Sequence, residues 1–159
     1  MKKYELTAEF IEKWGKKLFR IKALISFGSV EAGELGGYVE KEDNLAQDGN
    51  AWVYGDARVY GDARVCGNAE VYGNADYLLI GRIGSRFSFT TFFKNKDKGI
   101  TVSCGCFLGT IAEFRAKVTD THGNNKHAKI YNLAADMAEL QILGEEHFDK
   151  LNTNKSEPF

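Results

Sequence analysis

Histidine is absent from residues 1–121 of this 159-residue chain; His122, His127 and His147 all fall near its end. An imidazole base is therefore excluded from most of the sequence. Cysteine is sparse and odd in number, with Cys66, Cys104 and Cys106 only. That argues against the even disulfide frameworks of small secreted domains and leaves reduced thiols as the expectation. Net charge is nearly nil, at -1, so general electrostatic capture of nucleic acid is not expected and any anion site must be local. The opening stretch MKKYELTAEFIEKWGKKLFRIKAL has no long apolar run, because Lys and Glu interrupt it every few residues. No signal sequence or membrane span is read there, and the expected location is cytoplasmic.

What the chain does have is a repeat. VYGDARVYGDARVCGNAEVYGNAD, from Val53 to Asp76, writes one six-residue unit four times. In the unit Ala-x-Val-x, alternation sends Ala57 and Val59 one way and Arg58 and Tyr60 the other. The Gly-Asp and Gly-Asn pairs suit corners, since Gly accepts positive φ and Asp or Asn tolerates tight turns. A short flat face plus a corner, repeated, predicts a parallel β-helix. Antiparallel hairpins are the alternative, because the same pairs resemble turn signals, although strands this short make a poor meander.

The repeat resembles the hexapeptide repeat of left-handed β-helices, which implies triangular coils of three hexads. The resemblance carries the hand, against the usual right-handed crossover rule. Extending the phase puts Val39, Leu45 and Ala51 at the inner small position and reaches Gly81 and Ile83, so the solenoid is expected over residues 33–84. An eighteen-residue coil then places Arg58 between Glu40 and Asp76, Tyr54 over Tyr72, Trp52 between Glu34 and Glu70, and Arg64 over Arg82.

GELGGYVEKEDNL at 33–45, with the DGNAWVYGDARVYG that follows, resembles hexapeptide-repeat acyltransferases and phage or prophage accessory proteins. Acyltransferases of that type use a His to deprotonate the acceptor, which residues 1–121 cannot supply. The second half, with Ser85-Arg86, Thr90-Thr91-Phe92-Phe93, Cys104-Gly105-Cys106-Phe107, Gly109-Thr110, Phe114 and His122-Gly123, is similar to a small domain that follows such arrays in phage proteins. This implies a phage-type protein working in a bacterial cell, where small oligomeric relatives sequester nucleotide signals of host defence.

Outside the repeat, Leu18–Leu24 alternates as a strand and pairs with an earlier one across Gly15, giving an N-terminal β cap over residues 1–32. FSFTTFFK and ITVSCGCF alternate and are joined by NKDKG, as in a hairpin, with Phe87, Phe89, Thr91 and Phe93 on one face. Thr110 and Glu113 form a capping box before a helix over 111–122, whose stripe is Ile111, Phe114 and Val118 and whose C-cap is Gly123. A second helix, 126–142, presents Ile130, Leu133, Met137 and Leu140 as its apolar stripe, with Asn124 or Asn125 as its cap. The expected class is thus mainly β: a short left-handed β-helix, an N-terminal cap and a hairpin plus two-helix α+β subdomain at 85–143. Residues 144–159 read as a polar, flexible tail.

Cys104 and Cys106 share a face if they lie on one strand. They could begin a zinc site, but a second ligand pair is missing, so buried thiols are the main reading and a reactive Cys aided by His122 the lesser one. No metal and no cofactor are expected. CGCFLGT leads into a capped helix start, whose N–H groups attract anions. With Arg82 and Arg86 nearby, and Phe92 or Phe107 as a stacking surface, the expected ligand site comprises Arg82, Arg86, Thr90, Phe92, Phe107, Gly109, Thr110 and His122. Its ligand would be a small anion such as a nucleotide second messenger. Outward Tyr54, Tyr60 and Tyr72 predict a homo-oligomer, trimer or dimer.

Overall fold

The computed structural model describes residues 1–147, and the expected tail beyond His147 lies outside the described residues. Among the described residues the chain is mainly β, with ten strands in several sheets and a few helices. It divides into two compact units, Met1–Asp76 and the chain from Tyr77 onward.

In the first unit, β1 (Tyr4–Lys13) and β2 (Lys16–Ala23) form an antiparallel hairpin. Trp14 and Gly15, both at positive φ, make its two-residue turn, the conformation that matches the twist of flanking strands. β3 (Leu35–Val39) adds antiparallel to β2. The remaining strands are two residues long: β4 (Trp52–Val53), β5 (Arg58–Val59) and β6 (Glu70–Val71). β3 pairs with β5 and β4 with β6, both in parallel, and Leu45 bridges Val65 in parallel as well. Antiparallel hairpins within the repeat are thereby overturned.

The interior is built from the repeated small and branched positions. Val39, Leu45, Ala51, Val53, Ala57, Val59, Ala63, Val65, Ala69 and Val71 are all buried. Gly37 stands opposite Ala57, and a Cβ there would sit 2.5 Å from the Ala57 carbonyl oxygen. The small residue of the first layer therefore has to be glycine.

The stacking offset differs from the expected eighteen. Tyr38, Val39 and Leu45 pair with residues twenty further on, whereas Trp52 and Val53 pair with residues eighteen further on. Two additional residues thus sit in the segment 46–51, and Val39 and Leu45 occupy the Val position rather than the inner small one. The longer segment reaches the cap: Gln47 Oε1 accepts from the backbone N–H of Lys3 and Tyr4, and its Nε2 donates to the Tyr4 carbonyl. The buried Lys3 ammonium in turn donates to the carbonyl of Ala51 at 2.8 Å, with those of Asp48 and Gly49 at 3.4 Å, and lies 4.7 Å from the centre of the Phe27 ring.

The shifted register sets Arg58 beside Tyr38 rather than Glu40. The Glu40 carboxylate accepts from the Gly61 N–H and meets Lys16, and Asp76 accepts from the N–H groups of Tyr72 and Gly73. The Arg58 Nε is buried without a partner. Where the offset is eighteen the expected stack forms, Tyr54 on Tyr72 with centroids 4.3 Å apart and planes 12° from parallel. Trp52 does pair with Glu70, but it is fully buried, with Tyr4 and Phe27 edge-on to its indole. The cap has covered what the alternation placed outside.

The second unit begins where the repeat phase was expected to continue. β7 (Tyr77–Ile83) runs antiparallel to β8 (Ser88–Lys94), so the stacked segments end before residue 84 and Arg82 does not extend them. β9 (Ile100–Cys104) and β10 (Phe107–Thr110) complete a four-stranded antiparallel sheet in the order β10-β9-β8-β7, a larger element than the expected hairpin. Phe92 and Phe93, on opposite faces, are both buried, whereas Phe87 is exposed.

α1 (Ile111–His122) starts at the Thr110–Glu113 capping box and ends at Gly123, as expected. α2 (Lys126–Ala138) is capped by Asn125 and continues as a π-helical turn, Glu139–Leu143. Its inward face is not the expected stripe. Ala128, Tyr131, Ala134, Ala135 and Ala138 are buried, while Leu133, Met137 and Leu140 are exposed at 66%, 55% and 42%. Alanines let the helix axis approach its neighbours closely, and Tyr131 packs edge-on to Phe114 with ring centroids 5.7 Å apart. Arg115 clamps the two helices, donating to Asn132 at 3.0 Å, Asp136 at 2.7 Å and Glu139 at 2.5 Å.

Candidate functional site

One end of the second unit gathers most of its unusual polar chemistry. The β7–β8 turn carries Arg86, and β8 places Thr90 opposite Cys104 of β9. Thr90 donates to the Cys104 sulfur at 3.2 Å. The Tyr131 hydroxyl arrives from α2 close enough to the same thiol for the two to interact electrostatically. Gly84, at φ +82°, makes room for it, because a Cβ there would overlap the hydroxyl. Burial raises the Tyr131 pKa, Cys104 raises it further, and Arg86 acts in the opposite direction. The phenol therefore stays protonated, able to donate.

His122, in the last turn of α1, lies against Tyr131 with ring centroids 5.9 Å apart and planes 26° from parallel; His127 lies 5.5 Å from His122. His127 Nδ1 is buried with no hydrogen-bond partner. A buried polar nitrogen left unpaired costs free energy unless something else meets it. The group offers a guanidinium, two imidazoles, a phenol, a threonine hydroxyl and a thiol. Among the described residues no hydrogen bond joins either imidazole to Cys104, and no cluster of three or more His, Cys, Asp and Glu has metal-binding geometry.

Three of the expected site residues, Arg86, Thr90 and His122, meet here, and Arg82 is exposed near the same end of β7. Gly109 and Thr110 do not meet them. β10 pairs Thr110 with Thr101 at the far end of the β9–β10 hairpin from Cys104 and Phe107, and α1 then runs twelve residues to His122. The helix start is also occupied: the Glu113 carboxylate accepts the Thr110 N–H at 3.0 Å, and this bond holds its pKa below the ordinary value. A second anion would meet a negative charge already in place.

Phe92 is fully buried in the core with Phe114, and half-buried Phe107 packs against that core, so neither is set as an open stacking surface. Cys104 and Cys106 do not share a strand face, because Gly105 and Cys106 form the turn between β9 and β10 and leave Cys106 exposed. His127 and Tyr131, which the sequence reading did not include, join this group. Their four-residue spacing on a predicted helix puts them on one face, and that was the available signal.

No protein-family model matches the chain. An uncharacterized acetyltransferase of Escherichia coli strain K12, YdcK, is 40% identical over 62 residues, covering 34% of this chain. The match takes in only 19% of that protein's length.

Proposed function

We propose that the chain is a non-catalytic binding protein for a small anionic ligand that carries an aromatic ring, a nucleotide being the class that fits. The carrying observation is the convergence of Arg86, Thr90, Cys104, His122, His127 and Tyr131 at one end of the second unit, with the His127 Nδ1 buried and unpaired. A guanidinium recognises phosphate through paired donors, and stacked imidazole and phenol rings suit a base. In this reading the first unit is a short left-handed β-helix that serves as an assembly scaffold. In the phage-type setting implied by the sequence resemblance, the protein would sequester a nucleotide immune signal in the cytoplasm of a bacterial host.

The second reading is acyl transfer, favoured by the similarity to the Escherichia coli acetyltransferase. Against it, Cys104 accepts from Thr90 and its neighbour in reach is Tyr131 rather than a histidine, so the nucleophile–base contact expected of such chemistry is missing. Thermal unfolding across a panel of linear and cyclic nucleotides and acetyl-CoA separates the two. A ligand at a hundred times its Kd stabilises the native state by about 2.7 kcal/mol. Stabilisation by a nucleotide supports the binding reading; stabilisation by acetyl-CoA alone, with acetyl turnover, supports the enzyme. No shift with any of them leaves the chain a structural module.

A further inference from the structure

One phenylalanine of the second unit stands apart from the rest. Phe92 and Phe93 are buried, Phe107 and Phe114 lie against each other with ring centroids 5.8 Å apart, and Phe89 covers Gly81 so closely that a Cβ there would overlap its ring. Phe87 is 72% exposed, so the favourable burial of a large apolar ring is forgone. Its backbone is unusual as well, at φ +48°, a region that glycine and asparagine adopt readily and a bulky side chain does not. Folding alone would favour glycine at this position.

The turn that carries Phe87 belongs to the candidate site. Residues 84–87 join β7 to β8 between the paired Ile83 and Ser88, and the Phe87 N–H donates to the Gly84 carbonyl at 3.2 Å. Gly84 is the residue whose missing Cβ admits the Tyr131 hydroxyl. Arg86, next to Phe87 in the chain, lies near enough to Tyr131 for its charge to act on the phenol. One short turn thus presents a guanidinium and an open aromatic ring in succession. A ring with a free face and no hydrogen-bonding atoms recognises another ring by its area.

We propose that Phe87 is the stacking surface of the ligand site, so that the β7–β8 turn reads a nucleotide as a phosphate at Arg86 and a stacked base at Phe87. The inference rests on the ligand reading above and adds to it the side chain that selects for a base. Selection follows ring area, so purine nucleotides bind more tightly than pyrimidine ones. An anion without a ring keeps only the Arg86 contact. The strained backbone at Phe87 persists because glycine, which relieves it, supplies no ring.

Calorimetric titration of the native protein and of Phe87→Gly with ATP, CTP and inorganic tripolyphosphate tests this. Glycine suits the backbone here, so Phe87→Gly is expected to fold with a melting temperature equal to or above that of the native protein. It should weaken ATP binding by about five- to 150-fold, the range for one base on one aromatic ring. CTP should lose less, and tripolyphosphate should bind as before. Phe87→Trp should keep the affinity for ATP, and the fluorescence of the added indole should be quenched by ATP and not by tripolyphosphate. Native-like ATP binding by Phe87→Gly would overturn the proposal. Equal losses for ATP and tripolyphosphate would overturn it too, because they mark a damaged turn rather than a missing stack. A native protein that binds tripolyphosphate and neither nucleotide would keep the anion contact and remove the stack. A native protein that binds none of the three would overturn the ligand reading itself, and this inference with it.

Discussion

The first unit fills its interior with repeated Ala and Val and ties its corners with backbone bonds, while the second fills its interior with Phe92, Phe114 and Tyr131 and keeps polar side chains at one end. In the first, Trp52 Nε1 and Arg58 Nε are buried without partners, whereas the buried amide between the stacked segments is fully used. Asn44 is fully buried and makes four bonds: its Oδ1 accepts from Glu40 and Lys41, and its Nδ2 donates to Gly61 and Ala63. In the second, His127 Nδ1 is left over and Arg86 stands exposed beside Tyr131. Unsatisfied buried atoms occur in both units, so what sets the second apart is the gathering of titratable side chains around Tyr131.

Asn44→Ala breaks the comparison most forcefully. It strands backbone donors and acceptors inside the stacked segments, so chemical denaturation should show a loss of about 3 to 5 kcal/mol in the first unit. The fraction that stays folded should bind ligand as the native protein does. Equal loss of binding in the folded fraction would show that the two units do not divide scaffold from site.

A smaller effect separates the units by pH. Burial pulls the Lys3 ammonium down to about 8, with Asp48 acting the other way, and raises the Tyr4 hydroxyl well above its ordinary 10.0, helped by Glu42 and Asp43. Between about 8 and 10.5 the unfolded chain keeps a Lys3 proton that the folded chain has released, so this group makes stability rise with pH. Above about 10 the unfolded Tyr4 ionises first, and stability falls. Thermal melts should therefore show the first unit gaining about 1 to 3 kcal/mol from pH 8 toward pH 10 and declining beyond it. Lys3→Met should remove the rise and keep the decline.

Legibility follows the same division. Parallel pairing and the Tyr54–Tyr72 stack were readable because the hexad is regular there. The two added residues at 46–51 were not, because their use depends on Lys3 and Gln47 meeting across more than forty positions of sequence. Residues 77–83 kept the repeat phase in composition, yet their strand pairs with β8, a preference that local pattern cannot register. Both helices and their caps were evident. The buried face of α2 was not, since close packing selected small alanines over the larger apolar stripe. Arg86, Thr90 and His122, grouped by residue chemistry, lie around Tyr131 and Cys104, whereas Gly109 and Thr110 were attached to them only by nearness in sequence.

The most direct measurement is calorimetric titration of the native protein and of Arg86→Ala with the nucleotide that gives the largest thermal shift. Arg86 is exposed, so its removal should leave stability within about 0.5 kcal/mol of native, and should weaken binding by about 1 to 3 kcal/mol, roughly five- to 150-fold in Kd. Native heats reproduced by Arg86→Ala, or no heat from the native protein with any nucleotide, would contradict the assignment of this end of the second unit as the ligand site.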